Sequence, residues 1–246
     1  DSTIAAQLVV SNGRIIAQNG DLLAAPRTHS FSTDSLNSVK LPRELKASDF
    51  VIHAPENVEN ITVRVITMVT DLVTAEIEER LPVNDGQITV DSHRDIVKIA
   101  AIDRYRNPGR LFAGLIKGFG LKAGAFACSA GWDTSDIIVA GTSDSDMATA
   151  VNRIHSLQGG VVVCEKGKIL AEFPLPLFGL ISDLALKDLV RQFETVTRAA
   201  RKQGIPLPDP VLSLTTLTGS AIPYLRICEE GLVNLKSGKN VSLFVE

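Results

Sequence analysis

The sequence predicts an α+β fold on three observations. Strand-like segments crowd the first 142 residues without the alternating helices of a βαβ chain. Helical spacing of apolar residues occurs in only two stretches, about 144–157 and 183–203. Asn-Gly and Lys-Gly pairs separate adjacent apolar runs, as hairpins require. The expected architecture is therefore multi-stranded, mostly antiparallel sheet with two main helices, preceded by a β-hairpin.

The hairpin comes first, in residues 7–23 (QLVVSNGRIIAQNGDLL). Leu8-Val9-Val10 and Arg14-Ile15-Ile16-Ala17 flank Asn12-Gly13, which supplies the positive φ of a tight turn, and a second turn follows at Asn19-Gly20. Two strands are not stable alone in water, so this hairpin completes a sheet whose other strands lie elsewhere. Residues 26–48 are polar and turn-rich and are assigned as a connector between segments 1–25 and 49–246. Strands are expected at 50–54, 61–69 and 73–81, with apolar side chains alternating from Ile61. Two more, at 96–104 and 110–118, are joined through Arg106-Asn107-Pro108-Gly109. The short apolar runs 125–129 and 136–142 have the pattern of strands buried on both faces.

The first helix starts at Ser143 as N-cap, with Asp144 and Asp146 in its first turn and Met147, Val151, Ile154 and Leu157 along its apolar stripe. Gly159-Gly160 ends it, and a hairpin over 160–173 turns at Lys166-Gly167. The second helix runs from about Ser182-Asp183 to Gln203-Gly204, with Leu186, Leu189, Val190, Phe193, Val196 and Ala200 on one face. Pro206, Pro208 and Pro210 stiffen the next connection, and the last apolar runs are 211–217 and 241–246.

Composition narrows the class of protein. The 246 residues are 45% hydrophobic and 22% charged, which excludes disorder, collagen and coiled coil. A net charge of −3 offers no basic excess for a polyphosphate, so nucleic acid is not expected as a partner. No run of about 18 apolar residues exists, so no membrane span is expected. Cys128, Cys164 and Cys228 are too few and too scattered for a disulfide framework, and read as reduced, buried thiols of a cytoplasmic protein. The chain opens on Asp1-Ser2-Thr3 with neither Met nor an apolar leader; removal of Met and excision from a longer chain are both open.

Few residues could carry chemistry. His29, His53, His93 and His155 fall in no metal-ligand spacing, so no metal is expected on this chain. The glycine-rich stretch Gly114–Gly124, with Lys117 and Lys122, reads as a strand bend rather than an anion cradle. The segment that stands out is Ser129-Ala130-Gly131-Trp132-Asp133-Thr134-Ser135-Asp136. It sets the only Trp, two carboxylates and three hydroxyls between two buried strands. The same groups also serve turn amides, and residue type alone leaves both readings open.

Several segments together resemble the C-terminal region of adenine deaminases of the amidohydrolase superfamily: 81–105 (LPVNDGQITVDSHRDIVKIAAIDRY), 115–129 (LIKGFGLKAGAFACS), 136–154 (DIIVAGTSDSDMATAVNRI), 159–183 (GGVVVCEKGKILAEFPLPLFGLISD) and 207–214 (LPDPVLSL). The hairpin resembles the one that follows the catalytic barrel there and completes a neighbouring small β domain. The resemblance implies that metal ligands, and a divalent manganese or iron, belong to an N-terminal (β/α)8 barrel that does not fit in this chain. Metal-activated hydroxide attacking adenine and expelling ammonia would be that barrel's chemistry. It implies a barrel partner, adenine or a related purine as substrate, and a homo-oligomer as an open question. Where the family typically carries His-Asp-Ser-His-Asn, this chain has Trp132-Asp133-Thr134-Ser135-Asp136. Matching positions make Asp133 and Ser129 the catalytic candidates. Trp132, whose ring either stacks on a purine or packs internally, and Asp136 are the substrate-binding candidates. Loss of both histidines keeps open a non-catalytic scaffold, or a hydrolase for another purine.

Overall fold

The computed structural model describes residues 5–25 and 29–245. Residues 1–4 of the hairpin segment, 26–28 of the connector and 246 of the last apolar run lie outside the described residues. The chain divides into two compact units between Ser32 and Thr33. In the first, β1 (Leu8–Ser11), β2 (Arg14–Gln18) and β3 (Asp21–Leu22) form an antiparallel sheet in that order. Both sequence-predicted turns are present, with Asn12 and Gly13 at φ 49° and 73° and Asn19 and Gly20 at 52° and 89°. Leu8, Val10, Ile15 and Leu22 are exposed.

The second unit begins with α1 (Thr33–Leu36). Val39, Leu45 and Phe50 then bury their side chains in its core, so the polar stretch assigned as connector also packs. A 3-10 turn over Ala47–Phe50 overlaps the start of the strand expected at 50–54. The Asp49 carboxylate closes that turn by accepting the Lys46 N–H at 2.7 Å while pairing with Arg43. Beyond it, only an isolated bridge between His53 and Gln87 is sheet-like.

A nine-stranded sheet follows. Its strands are β4 (Asn60–Met68), β5 (Thr74–Asn84), β6 (Gln87–Ile88), β7 (Ile96–Asp103), β8 (Leu111–Lys117), β9 (Ala125–Cys128), β10 (Asp136–Gly141), β11 (Gly160–Glu165) and β12 (Lys168–Pro174). They lie in the order β12-β11-β9-β10-β7-β8-β4-β5-β6, and β4 with β8 is the parallel pair. Central strands alternate between two cores. Ala125, Ala127, Ile137, Val139 and Val162 face α2 (Asp144–Leu157), whereas Phe126, Cys128, Ile138, Ala140 and Val161 face α3 (Leu186–Lys202) and α4 (Pro210–Thr215). Coverage on both faces is why these runs read as continuously apolar.

Local chemistry places each helix. Ser143 caps α2 by accepting the Asp146 N–H, and the buried Lys98 ammonium bridges Asp144 at 2.6 Å to the Phe50 carbonyl at 3.0 Å. That contact ties β7, α2 and the 47–50 turn together. The apolar run at 211–217 is helical at its start, with Pro210 in the first turn and the Asp209 carboxylate accepting the Leu212 N–H. On α3, Val196 and Ala200 are buried while Leu186 and Val190 of the expected stripe stay exposed. The Gly114–Gly124 stretch is a bend: Gly120 has φ 81°, a Cβ there would meet Pro206 at 2.3 Å, and Lys117 pairs with Glu79. No helix among the described residues is long and apolar enough to cross a membrane.

The tail forms a small antiparallel sheet of β13 (Leu225–Cys228), β14 (Gly231–Asn234) and β15 (Lys239–Val241), which the apolar pattern does not announce. Residues 242–245 then run along β4. Arg64 donates its N–H to the Leu243 carbonyl at 2.8 Å and its guanidinium to Ser242 and Phe244, and the Val245 N–H reaches Thr62.

Candidate functional site

A cleft of about 760 Å³ opens where the loops after β7 and before β10 meet the segment around Phe178 and the end of β13. This volume suits a small molecule. The loop after β7 owes its shape to Asp103. Its carboxylate accepts the amides of Tyr105 (2.8 Å), Arg106 (3.0 Å) and Asn107 (2.6 Å) and the Ser135 hydroxyl (3.0 Å). Burial pushes the Asp103 pKa up, but those hydrogen bonds outweigh it and hold it below the usual value.

The four sequence-predicted residues separate. Asp133, at φ 59°, lines the cleft; its Oδ2 accepts the Ser220 amide at 2.8 Å and hydroxyl at 2.9 Å, which lower its pKa. Trp132 is 43% exposed and anchored through its backbone, donating to Thr215 and accepting from the Thr218 hydroxyl; it is not in the cleft lining. Ser129 is fully buried. Its hydroxyl donates to the Gly179 carbonyl at 2.6 Å and accepts the Gly160 N–H at 2.8 Å, so it joins three segments beneath the loop. Asp136 is also fully buried, and neither carboxylate oxygen has a hydrogen-bond partner of good geometry among the described residues. Burial, then the charges of Glu229 and Asp103, raise its pKa to about 7. The loop thus brings one of the four, Asp133, to the cleft, together with Thr134 and Ser135.

Sequence reasoning missed the rest of the lining. Arg104 is 5% exposed, with its Nε–H donated to the Ser129 carbonyl at 3.2 Å. Arg226 lines the cleft with a buried Nε that has no partner among the described residues. Phe178 is 52% exposed and sits in a turn closed by the Leu180 N–H and the Leu177 carbonyl at 3.0 Å. Phe178 and Gly179 have φ 56° and 69°, the type I′ pattern. A left-handed non-glycine residue costs about 1–2 kcal/mol. Gly179 is required: a Cβ there would lie 3.0 Å from the Arg104 guanidinium carbon. Only the adjacent Phe-Gly pair signals this turn in the sequence, and nothing in the sequence joins it to residues 104 and 226.

Burial drives the Cys128 thiol up to about 12, which makes it an inert core group. Among the described residues no three His, Cys, Asp or Glu side chains converge as metal ligands. They do not fit the divalent metal that the resemblance implies.

A family profile described as the adenine deaminase C-terminal domain matches residues 71–239. The chain belongs to that family. The likeness to curated relatives named adenine deaminase extends beyond the matched region. The one from Kosmotoga olearia is 35% identical over 97% of this chain and 41% of its own length. The one from Mesorhizobium japonicum is 36% identical over 96% of this chain and 40% of its own. That from Clostridium botulinum strain Langeland is 33% identical over 97% and 40%. The chain therefore spans about 40% of the length of these adenine deaminases. All of the cleft lining except Asp34 and Ser38 falls within the matched region.

Proposed function

We propose that this chain acts as the C-terminal domain of a cytoplasmic enzyme of purine metabolism that hydrolyses adenine to hypoxanthine and ammonia. One observation carries the reading: 35% identity to an adenine deaminase across 97% of the chain. The reaction then belongs to an N-terminal barrel holding a divalent manganese or iron, and this domain presents loop 129–136 to the barrel mouth. In that arrangement Asp133 meets the substrate from the cleft, and Trp132 offers a ring at the loop's exposed edge. Ser129 holds the loop from beneath, and Asp136 lies buried at its end. Residues 1–25 belong to a small β domain beside the barrel, 26–48 connect, and 49–246 form the C-terminal domain. Exposed Leu8, Val10, Ile15 and Leu22 support further strands covering the hairpin. A homo-oligomer is part of the proposal.

The test is ammonia release from adenine by this chain carrying its upstream reading frame and loaded with manganese or iron. Turnover supports the reading, and its absence with both metals rejects it. A second reading, a non-catalytic scaffold or oligomerisation module, is favoured by the internal hydrogen bonds that occupy the Ser129 and Asp133 side chains. Native polypeptide mass separates the two: a band near 26.4 kDa favours the scaffold, and one far heavier the enzyme.

A further inference from the structure

The turn at Leu177–Leu180 carries a side chain that its backbone disfavours. Both central positions of a type I′ turn need positive φ, so Asn, Asp and Gly dominate them. Here Phe178 occupies the first at φ 56°. Its backbone is fixed from several directions. The Phe178 N–H donates to the Ser35 carbonyl at 2.8 Å, the Gly179 carbonyl accepts from the buried Ser129 hydroxyl, and Gly179 lies against Arg104. The ring itself is 52% exposed and lines the cleft, so core packing does not account for its presence. Strain held in place by its surroundings points to use of the strained group.

The remaining lining says what the ring would meet. Arg104, Arg106 and Arg226 share the lining with Asp34, Asp133, Glu229 and Glu230, a mixture that favours neither a bare anion nor a bare cation. Arg226 lines the cleft as a hydrogen-bond donor, its Nε buried and without a partner among the described residues. A neutral, flat molecule with ring-nitrogen or carbonyl acceptors on its edge satisfies both features.

We propose that Phe178 is the stacking surface of the cleft for a planar nitrogen heterocycle, whose acceptor edge faces the Arg226 guanidinium. This deepens the deaminase reading and rests on it for the choice of adenine as the first probe. Base–aromatic stacking supports an effect of about tenfold on binding.

Calorimetric titration with adenine, hypoxanthine and cytosine tests it, on the 246-residue chain and on the polypeptide bearing its upstream region. Phe178→Gly suits the left-handed backbone, so its thermal midpoint should hold or rise while binding weakens about tenfold. Phe178→Tyr should restore binding. A Gly variant that binds like the parent, or a Tyr variant as weak as the Gly variant, overturns the proposal. So does failure of all three heterocycles to bind either form. Cytosine binding that depends on Phe178, without adenine binding or turnover, would uphold stacking and reject adenine. Adenine turnover with a KM indifferent to Phe178→Gly would uphold the deaminase and reject the stacking site.

Discussion

Asp103 and Asp136 stand opposite each other in register across β7 and β10, and of the two carboxylates only that of Asp103 has hydrogen-bond partners of good geometry among the described residues. Like charges at directly paired positions repel. The amides after β7 hold the Asp103 pKa down, while burial, then the charges of Glu229 and Asp103, raise that of Asp136 to about 7.

The sign of the resulting pH dependence follows from linkage. With a folded pKa raised above the unfolded value, Asp136 adds stability in full below about pH 4, and that stability is lost as the pH rises through about 7. Asp136→Asn should flatten this slope and leave the chain about 1–2 kcal/mol more stable than the parent at pH 8. Urea unfolding across pH 5–8 reads it; parallel curves for the two proteins would contradict the assignment.

Ser129→Ala should destabilise the chain by about 1–3 kcal/mol, because it leaves the buried Gly160 N–H and Gly179 carbonyl without their shared partner. If the barrel-bearing protein keeps its turnover at temperatures where the variant is folded, Ser129 positions the loop and does not touch substrate.

On the proposed deaminase function, Asp133→Ala should change KM or kcat for adenine in the polypeptide bearing its upstream region, with less than about 0.5 kcal/mol lost from stability at this exposed site. Unchanged values of both kinetic constants would remove the 129–136 loop from the active site.

Lys98→Met should cost about 3 kcal/mol, since it strands Asp144 and the Phe50 carbonyl behind a nearly buried side chain. The double variant Lys98→Met/Asp144→Asn should recover part of that loss. Additive losses in chemical denaturation would mean that the two groups are not coupled.

Much of the fold was legible because its signals are local. Asn-Gly pairs mark the first turns, Ser143 caps α2, and apolar runs in β9 and β10 announce strands covered on both faces. The 47–50 turn was not legible, because Asp49 reaches back to Lys46 and Arg43 within a stretch ending in strand-like residues. Strands β13–β15 are three or four residues each, too short to show a period. At the site, only the 129–136 segment was visible. Arg104, Phe178 and Arg226 come from widely separated parts of the chain, and only tertiary packing makes them neighbours.

The seam between Arg64 and residues 242–245 has a consequence for folding. Strand β4 must wait for partners some 180 residues downstream. Closing so long a loop is entropically costly, and such contacts slow folding. Until residues 242–245 dock, that edge of β4 has its hydrogen-bonding groups open to water and to other chains. Closure of this edge therefore comes late in folding, and an open strand edge exposes the chain to self-association until then.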